Sequence, residues 1–551
     1  MGVRTPIYDD SNWYKKGETM VSGSVFYDGT VEHIDTETFC SKLQRSQSVS
    51  EVVDIVNGVS GFYAFIHNLE DKVIASVDHI RSIPLYYSTE EAIITDNPRE
   101  IVGEVDPAYF APVPEAEYLL TGYVTGKETL CPAVNTLEAG TLAIIDKDSG
   151  NINIEQHTEY HPSKPDKSDD LKNGQEELKQ AISQAVERLC VVASDRPIYL
   201  LLSGGHDSKL ILSELVKREY DPVVALSFGP PDNSDVTMSG TIADAVDVER
   251  KYVEYTGDTW DEWFRSDTRK EYCKLRHNMD FIPVHWAGPA LSELDRRDEL
   301  PDDAVFVSGQ TIGSIGEHMP SKEQVRTRSE LIDYILDNHY VLWGRNAELS
   351  SRMRDRIDRN LKTGDDLDFI PMYEQWEWKE RQSKWMSQDG SMYSFFGYDW
   401  WFPLFDKEVL KAWENSPRED RRQKRALIDI SETSFNQVAN IGSALESGRP
   451  DLTDILKRRI SRSPVGNIAG YVYQYYKQSQ GFGSHPLGYE GMFGPGQPGE
   501  YYCGNQNHHS YIAMHAVDRM SFSPPDASGV PKDCELSIEK IRQLPRVTDR
   551  N

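Results

Sequence analysis

The sequence predicts an α/β protein in two parts: a β-rich N-terminal part, then a doubly wound strand–helix part that ends in helices. Three observations predict it. Residues 1–160 hold short apolar runs separated by polar turns. From residue 171 on, strand-like runs alternate with stretches long enough for helices. Between the first such strand and its helix lies the glycine-rich loop Ser203-Gly204-Gly205.

Residues 61–68 read as a strand, Leu69-Glu70-Asp71 as a turn and 72–78 as the hairpin partner. Short strands at 84–87 and 92–95 continue the pattern. The polar stretch 161–170, with Pro162 and Pro165 on it, reads as a linker. A helix follows over 171–191, then a strand at 198–202 and a helix at 208–217. A strand at 223–228, a helix at 236–246 and strands at 251–254 and 304–307 complete a βαβ series, which implies a parallel sheet with helices on its faces. Residues 325–460 read as mainly helical, so this part spans 171–460. The remainder, 461–551, is rich in Gly, Pro and aromatics and reads as a loop-heavy tail. There is no internal repeat.

The chain has 551 residues, with 59 Lys+Arg against 89 Asp+Glu and a net charge of −30. A surface this acidic repels phosphate backbones and anionic head groups, which argues against nucleic acid and membrane partners. It also fits a salt-loving organism, because at 1 M salt the Debye length falls to about 3 Å and self-repulsion fades. No stretch reaches the roughly 20 apolar residues of a membrane helix. The start, Met1-Gly2-Val3-Arg4-Thr5-Pro6, has no apolar signal core and no acylation pattern, so a cytoplasmic protein is expected. Six scattered cysteines (Cys40, Cys131, Cys190, Cys273, Cys503, Cys534) without a CxxC pair suggest neither a zinc site nor a disulfide framework.

The chemistry concentrates at Leu201-Leu202-Ser203-Gly204-Gly205-His206-Asp207-Ser208. An apolar strand ends in Ser-Gly-Gly and a helix starts near Asp207. Glycines let the backbone approach an anion, and the helix start offers free N–H groups. Ser203 and Ser208 add hydroxyl donors, and Asp207 can hold a magnesium ion that bridges phosphate oxygens. This is a phosphate cradle of a different kind from GxxxxGK[ST].

SGGxDS after a hydrophobic strand resembles the pyrophosphate loop of the asparagine synthetase family. Those enzymes adenylate a carboxylate with ATP, release pyrophosphate, and let an amine displace AMP. Ser227-Phe228-Gly229, with Asp235 opening a helix, resembles the family's second strand and adenine turn, and Phe306-Val307-Ser308-Gly309 its nucleotide-contacting strand. The resemblance implies that Leu202, Phe228, Ser308 and Gly309 line the adenosine, that Ser203, Gly204, Gly205 and Ser208 hold phosphate, and that Asp207 is catalytic and binds Mg²⁺. Trp401–Lys407 resembles the family's helix start "PfLD". In the first part, residues 61–65 and Asp78-His79-Ile80-Arg81-Ser82-Ile83-Pro84-Leu85-Tyr86-Tyr87 resemble the family's glutaminase domain, which reads GxFAF…RDxxGxxPLYY. Residues 118–124 and 128–130 match its closing segment. The resemblance covers roughly residues 20–430. The fold it implies is an Ntn-hydrolase-like αββα domain followed by a doubly wound ATP-pyrophosphatase domain.

Four features depart from the family pattern. Its glutaminase nucleophile is a cysteine directly after the initiator Met, where this chain has Gly2, and its Asn-Gly oxyanion loop is absent from 21–27. With neither nucleophile nor oxyanion donors, glutamine hydrolysis is not expected. The family's acidic pair after Ser-Gly is replaced by Gly313-Ser314, and Glu317 lies about three residues from that place. The late lysine expected near 440–445 is missing, and Lys209, Lys424 and Arg425 are the stand-ins, with Lys424 taken as catalytic.

The expected function is ATP-dependent amide formation on a small carboxylate, with ATP and Mg²⁺ as cofactors and ammonia or an amine as donor. A homodimer is left open. The alternatives are a nucleotide-binding or scaffolding homologue that has lost catalysis, or an amidotransferase acting on a sugar acid in polysaccharide synthesis. tRNA modification is disfavoured by the acidic charge and the lack of a basic stripe.

Overall fold

Strand-forming runs in the first part pair antiparallel because tight turns join neighbours. The computed structural model describes residues 3–8, 12–103, 110–162, 171–231, 233–276, 279–362, 368–439, 512–513 and 535–536. Strands β1 (Tyr14–Lys16), β2 (Thr19–Tyr27), β3 (His33–Ile34), β4 (Val59–Asn68) and β5 (Lys72–Val77) open the chain. A small sheet of β6 (Tyr86–Ser88), β7 (Ile93–Thr95) and β8 (Asn135–Thr136) follows, and β9 (Thr141–Asp146) and β10 (Ile152–Gln156) rejoin the first sheet. That sheet runs β1-β2-β4-β5-β9-β10, with β3 beside β2, antiparallel throughout.

Alternation along these strands separates two apolar faces. Val25, Tyr63, Phe65 and Ile74 pack under the helices Thr36–Arg45 and Val49–Asn57. Ala64, Ile66, Val73 and Ala143 pack instead against Leu85, Tyr87, Ile94 and Leu137 of the small sheet and its flanks. Tyr86 and Ile93 of the small sheet belong to the large core that also takes in the helix Pro112–Thr121. Two helices thus cover one face of the first sheet, and the small sheet covers the other.

The second part is built on five parallel strands: β11 (Ile198–Leu201), β12 (Val223–Gly229), β13 (Glu249–Glu254), β14 (Val305–Val307) and, past the short β15 (Gly344–Arg345), β16 (Asp399–Trp401). Their order is β13-β12-β11-β14-β16. The chain winds one way from β11 to β13 and then the other way through β14 and β16. The order reverses between β11 and β14, where doubly wound sheets open a ligand crevice at the strands' carboxyl ends. β17 (Glu535–Leu536) pairs with β15.

Residues 163–170, most of the stretch read as a linker, lie outside the described residues, as does nearly all of 440–551. Just ahead of that stretch, Tyr160 is buried, stacks on Trp378 and donates to Glu374. The strand β16 stands where helix was expected. Its three residues are too few to display a period, and its aromatics serve the seam between the two parts. Trp401 packs edge-on against Phe62 (4.5 Å) and Phe26 (5.6 Å) of the antiparallel sheet. Polar ties cross the same seam. His79 Nε2 donates to the Phe405 carbonyl at 2.6 Å, Lys407 to the Val59 carbonyl at 3.1 Å, and Arg188 Nε to the Thr30 carbonyl at 2.7 Å. No helix among the described residues is long and apolar enough to cross a membrane.

Candidate functional site

The β11–β14 crevice holds a cleft of about 370 Å³. Leu202, Ser203, Gly205, Asp207, Ser208, Phe228, Ser308, Gly309 and Lys424 all line it. The structure thus brings together these sequence-predicted residues from four separate segments. Gly204 sits just behind the wall, since a Cβ there would meet Asp235 Oδ1 at 2.9 Å and Met238 Cβ at 3.0 Å. Lys209 points elsewhere, pairing with Glu432 at 2.6 Å, and Arg425 is exposed outside the cleft.

The loop after β11 is closed on itself by hydroxyls. Ser203 N–H donates to Ser208 Oγ at 3.3 Å, and Gly205 N–H to Ser203 Oγ at 3.2 Å. The helix His206–Lys217 then begins without a side-chain cap, which leaves its first N–H groups for an anion. The loop after β14 presses close. A Cβ on Gly309 would lie 2.9 Å from the Ser208 nitrogen, so only glycine lets the two loops meet. Phe228 lines the apolar end, stacked on Tyr255 at 5.1 Å.

Among the described residues the one cation lining the cleft is Lys424, which stands on a sharp backbone bend where Gln423 and Lys424 both take φ of +57°. Its Nζ lies 3.0 Å from Asp207 Oδ2 and 2.7 Å from Glu317 Oε1. Burial works against the charge on Lys424, but the two carboxylates outweigh it and hold the ammonium pKa above its ordinary value. Glu317, whose spacing in the sequence looked wrong, does reach the cleft. Among the described residues no group of three or more His, Cys, Asp or Glu side chains gathers to hold a metal.

Two lining residues carry no sequence motif. Trp286 donates its indole N–H to Asp389 Oδ1 at 2.6 Å, and Tyr393 donates to Oδ2 at 3.4 Å. Burial pushes the Asp389 carboxyl up to about 6, against hydrogen bonds from Ser308, Trp286 and Tyr393 that pull it down. The folded state therefore keeps a proton that the unfolded chain releases above about pH 4. The stability this contributes is present at low pH and lost as pH rises through about 6. In urea unfolding, Asp389→Asn is expected to remove about 2 kcal/mol of pH dependence between pH 4 and 6. An unchanged slope would show that Asp389 stays ionised.

In the first part, Gly2 lies outside the described residues. Cys40, the cysteine nearest to it in sequence, is buried with its thiol against the Thr19 carbonyl, and burial raises its pKa, so it offers no thiolate.

No protein-family model matches the chain, and no curated protein matches it. Among solved structures, a glutamine phosphoribosylpyrophosphate amidotransferase from B. subtilis, complexed with ADP and GMP, aligns at 12% identity over 55% of this chain and 59% of that one, with a TM-score of 0.17. An allosteric regulatory enzyme of purine biosynthesis aligns at 13% identity over 56% and 58%, also at 0.17. The U34-tRNA thiolase NcsA from Methanococcus maripaludis, with its 4Fe-4S cluster, aligns at 14% over 41% and 77%, at 0.19. The chain spans less than two thirds of the first two structures' own length. The mixed α/β fold described above rests on its own strand order.

Proposed function

We propose that the chain is an ATP-dependent, AMP-forming ligase that makes a carbon–nitrogen bond, similar in chemistry to asparagine synthetases but without glutamine hydrolysis. One observation carries the reading: SGGxDS and Ser308-Gly309 meet at the sheet's reversal point, with Lys424 beside Asp207. Adenosine would rest on Leu202, Phe228, Ser308 and Gly309. The polyphosphate would take N–H groups of the Ser203–Ser208 loop and the Lys424 ammonium. A carboxylate oxygen attacks the α-phosphorus, the α–β bond breaks, and pyrophosphate leaves. The amine then attacks the acyl carbon and AMP departs, the nitrogen giving its surplus proton to water. Preorganised donors at the loop and Lys424 stabilise the charge that grows on the phosphate oxygens.

Magnesium fits the residues present. Asp207 Oδ1 is buried without a hydrogen-bond partner, as a ligand oxygen would be, and magnesium usually takes only one or two protein carboxylates besides phosphates and water. When bound to Asp207 it would neutralise phosphate charge. A catalytically silent nucleotide-binding homologue is the second reading, favoured by Gly313-Ser314 in place of the family's acidic pair.

The deciding measurement is pyrophosphate release from ATP with Mg²⁺, ammonium and a panel of small carboxylates. Release supported by ammonium, with no glutamate formed from glutamine, is the expected result. ATP binding without release on any carboxylate would favour the second reading, and glutamate formation by pure protein would overturn the loss of glutaminase activity.

A further inference from the structure

We propose that Glu317 is the second carboxylate of the cation site, and that the Lys424 ammonium holds the cation's place between Asp207 and Glu317 while the cleft is empty of nucleotide. The proposal rests on the reading that Mg²⁺ and ATP bind here. One ammonium bridging two carboxylates, at 3.0 and 2.7 Å, occupies the position a divalent ion would take between them. Asp207 keeps a second, buried oxygen with no partner, so the pair is under-satisfied by a single +1 charge.

The backbone around the site explains the shift of the acid from 313 to 317. A Cβ at Gly313 would fall 2.3 Å from Leu427 Cδ1 and 3.4 Å from Lys424 Cγ, so the room of the missing acid is filled by Leu427 and the Lys424 stem. One turn on, a Cβ at Gly316 would fall 1.9 Å from the Arg421 carbonyl oxygen. That close backbone approach brings the next residue, Glu317, opposite Lys424. The left-handed Gln423-Lys424 bend turns the ammonium toward both acids. Lysine and metal then compete for one pair of carboxylates, and the loser is free to meet phosphate.

Mn²⁺ serves as the probe, with free ion read by electron paramagnetic resonance against the full chain, alone and with α,β-methylene-ATP. Without nucleotide, Lys424→Met is expected to bind Mn²⁺ about tenfold more tightly than the parent, because a competing charge is gone. With the analogue, Glu317→Gln is expected to bind Mn²⁺ about tenfold more weakly. Lys424→Arg, which keeps the charge, should hold the parent's affinity, and circular dichroism checks folding. Opposite shifts from two neighbouring residues are not produced by a merely structural role. Unchanged Mn²⁺ affinity in either Lys424→Met or Glu317→Gln overturns the proposal. Failure of the analogue to bind the parent protein would instead remove the nucleotide reading, while the contrast without nucleotide would still decide this one.

Discussion

Asp280→Ala is expected to lower the unfolding free energy by about 3–5 kcal/mol, read by urea denaturation at neutral pH. Asp280 is fully buried and receives Arg81 at 2.5 Å and the Tyr86 hydroxyl at 2.8 Å. Arg81 is equally buried and also donates to Tyr86 and Thr136, so no water can take over its charge. Arg81 stands at φ +55°, where the glutaminase pattern RDxxGxxPLYY has its glycine. That left-handed backbone costs about 1 kcal/mol for a residue with a side chain. The network across the seam offsets it only while Asp280 is present. Replacing both partners, as Arg81→Met with Asp280→Leu, should recover part of the loss, because a buried pair is costlier to break than to exchange for apolar groups. A loss below 1 kcal/mol in the single variant would mean that water reaches the pair.

Asp207→Ala is expected to cut pyrophosphate release by about a thousandfold or more while leaving the fold intact. Structurally the carboxylate does little: among the described residues it accepts one hydrogen bond, from Lys424, which keeps Glu317 as a partner. In the proposed reaction it is the acid of the Ser203–Ser208 loop, in the cleft at the start of the helix His206–Lys217. Melting temperature and release rate should therefore separate cleanly. Full release from the alanine variant would take away its metal role.

The place of the Ser203–Ser208 loop in the cleft was legible because its pattern is local: strand, Ser-Gly-Gly, Asp-Ser and helix follow within a dozen residues. The strands β11, β12 and β14 were legible because each is largely buried and reads as an apolar run. Trp286 and Asp389 were not, since each reaches the cleft from a different segment with no motif around it. The Arg81–Asp280 pair spans 199 positions, and nothing beside either residue announces the other. The strand β16 escaped because Asp399-Trp400-Trp401 is neither long enough to show a period nor wholly apolar like β14.

The seam between the two parts has a consequence for any attempt to cut the chain. Cleaving off the antiparallel layers would bare Trp401, leave the Phe405 carbonyl without His79, and strand Asp280 without Arg81. The parallel half would have to be expressed with its neighbour or not at all. Modularity at the level of genes is thus lost at the level of cores. Deletion of the first part would therefore unmake the core of the second.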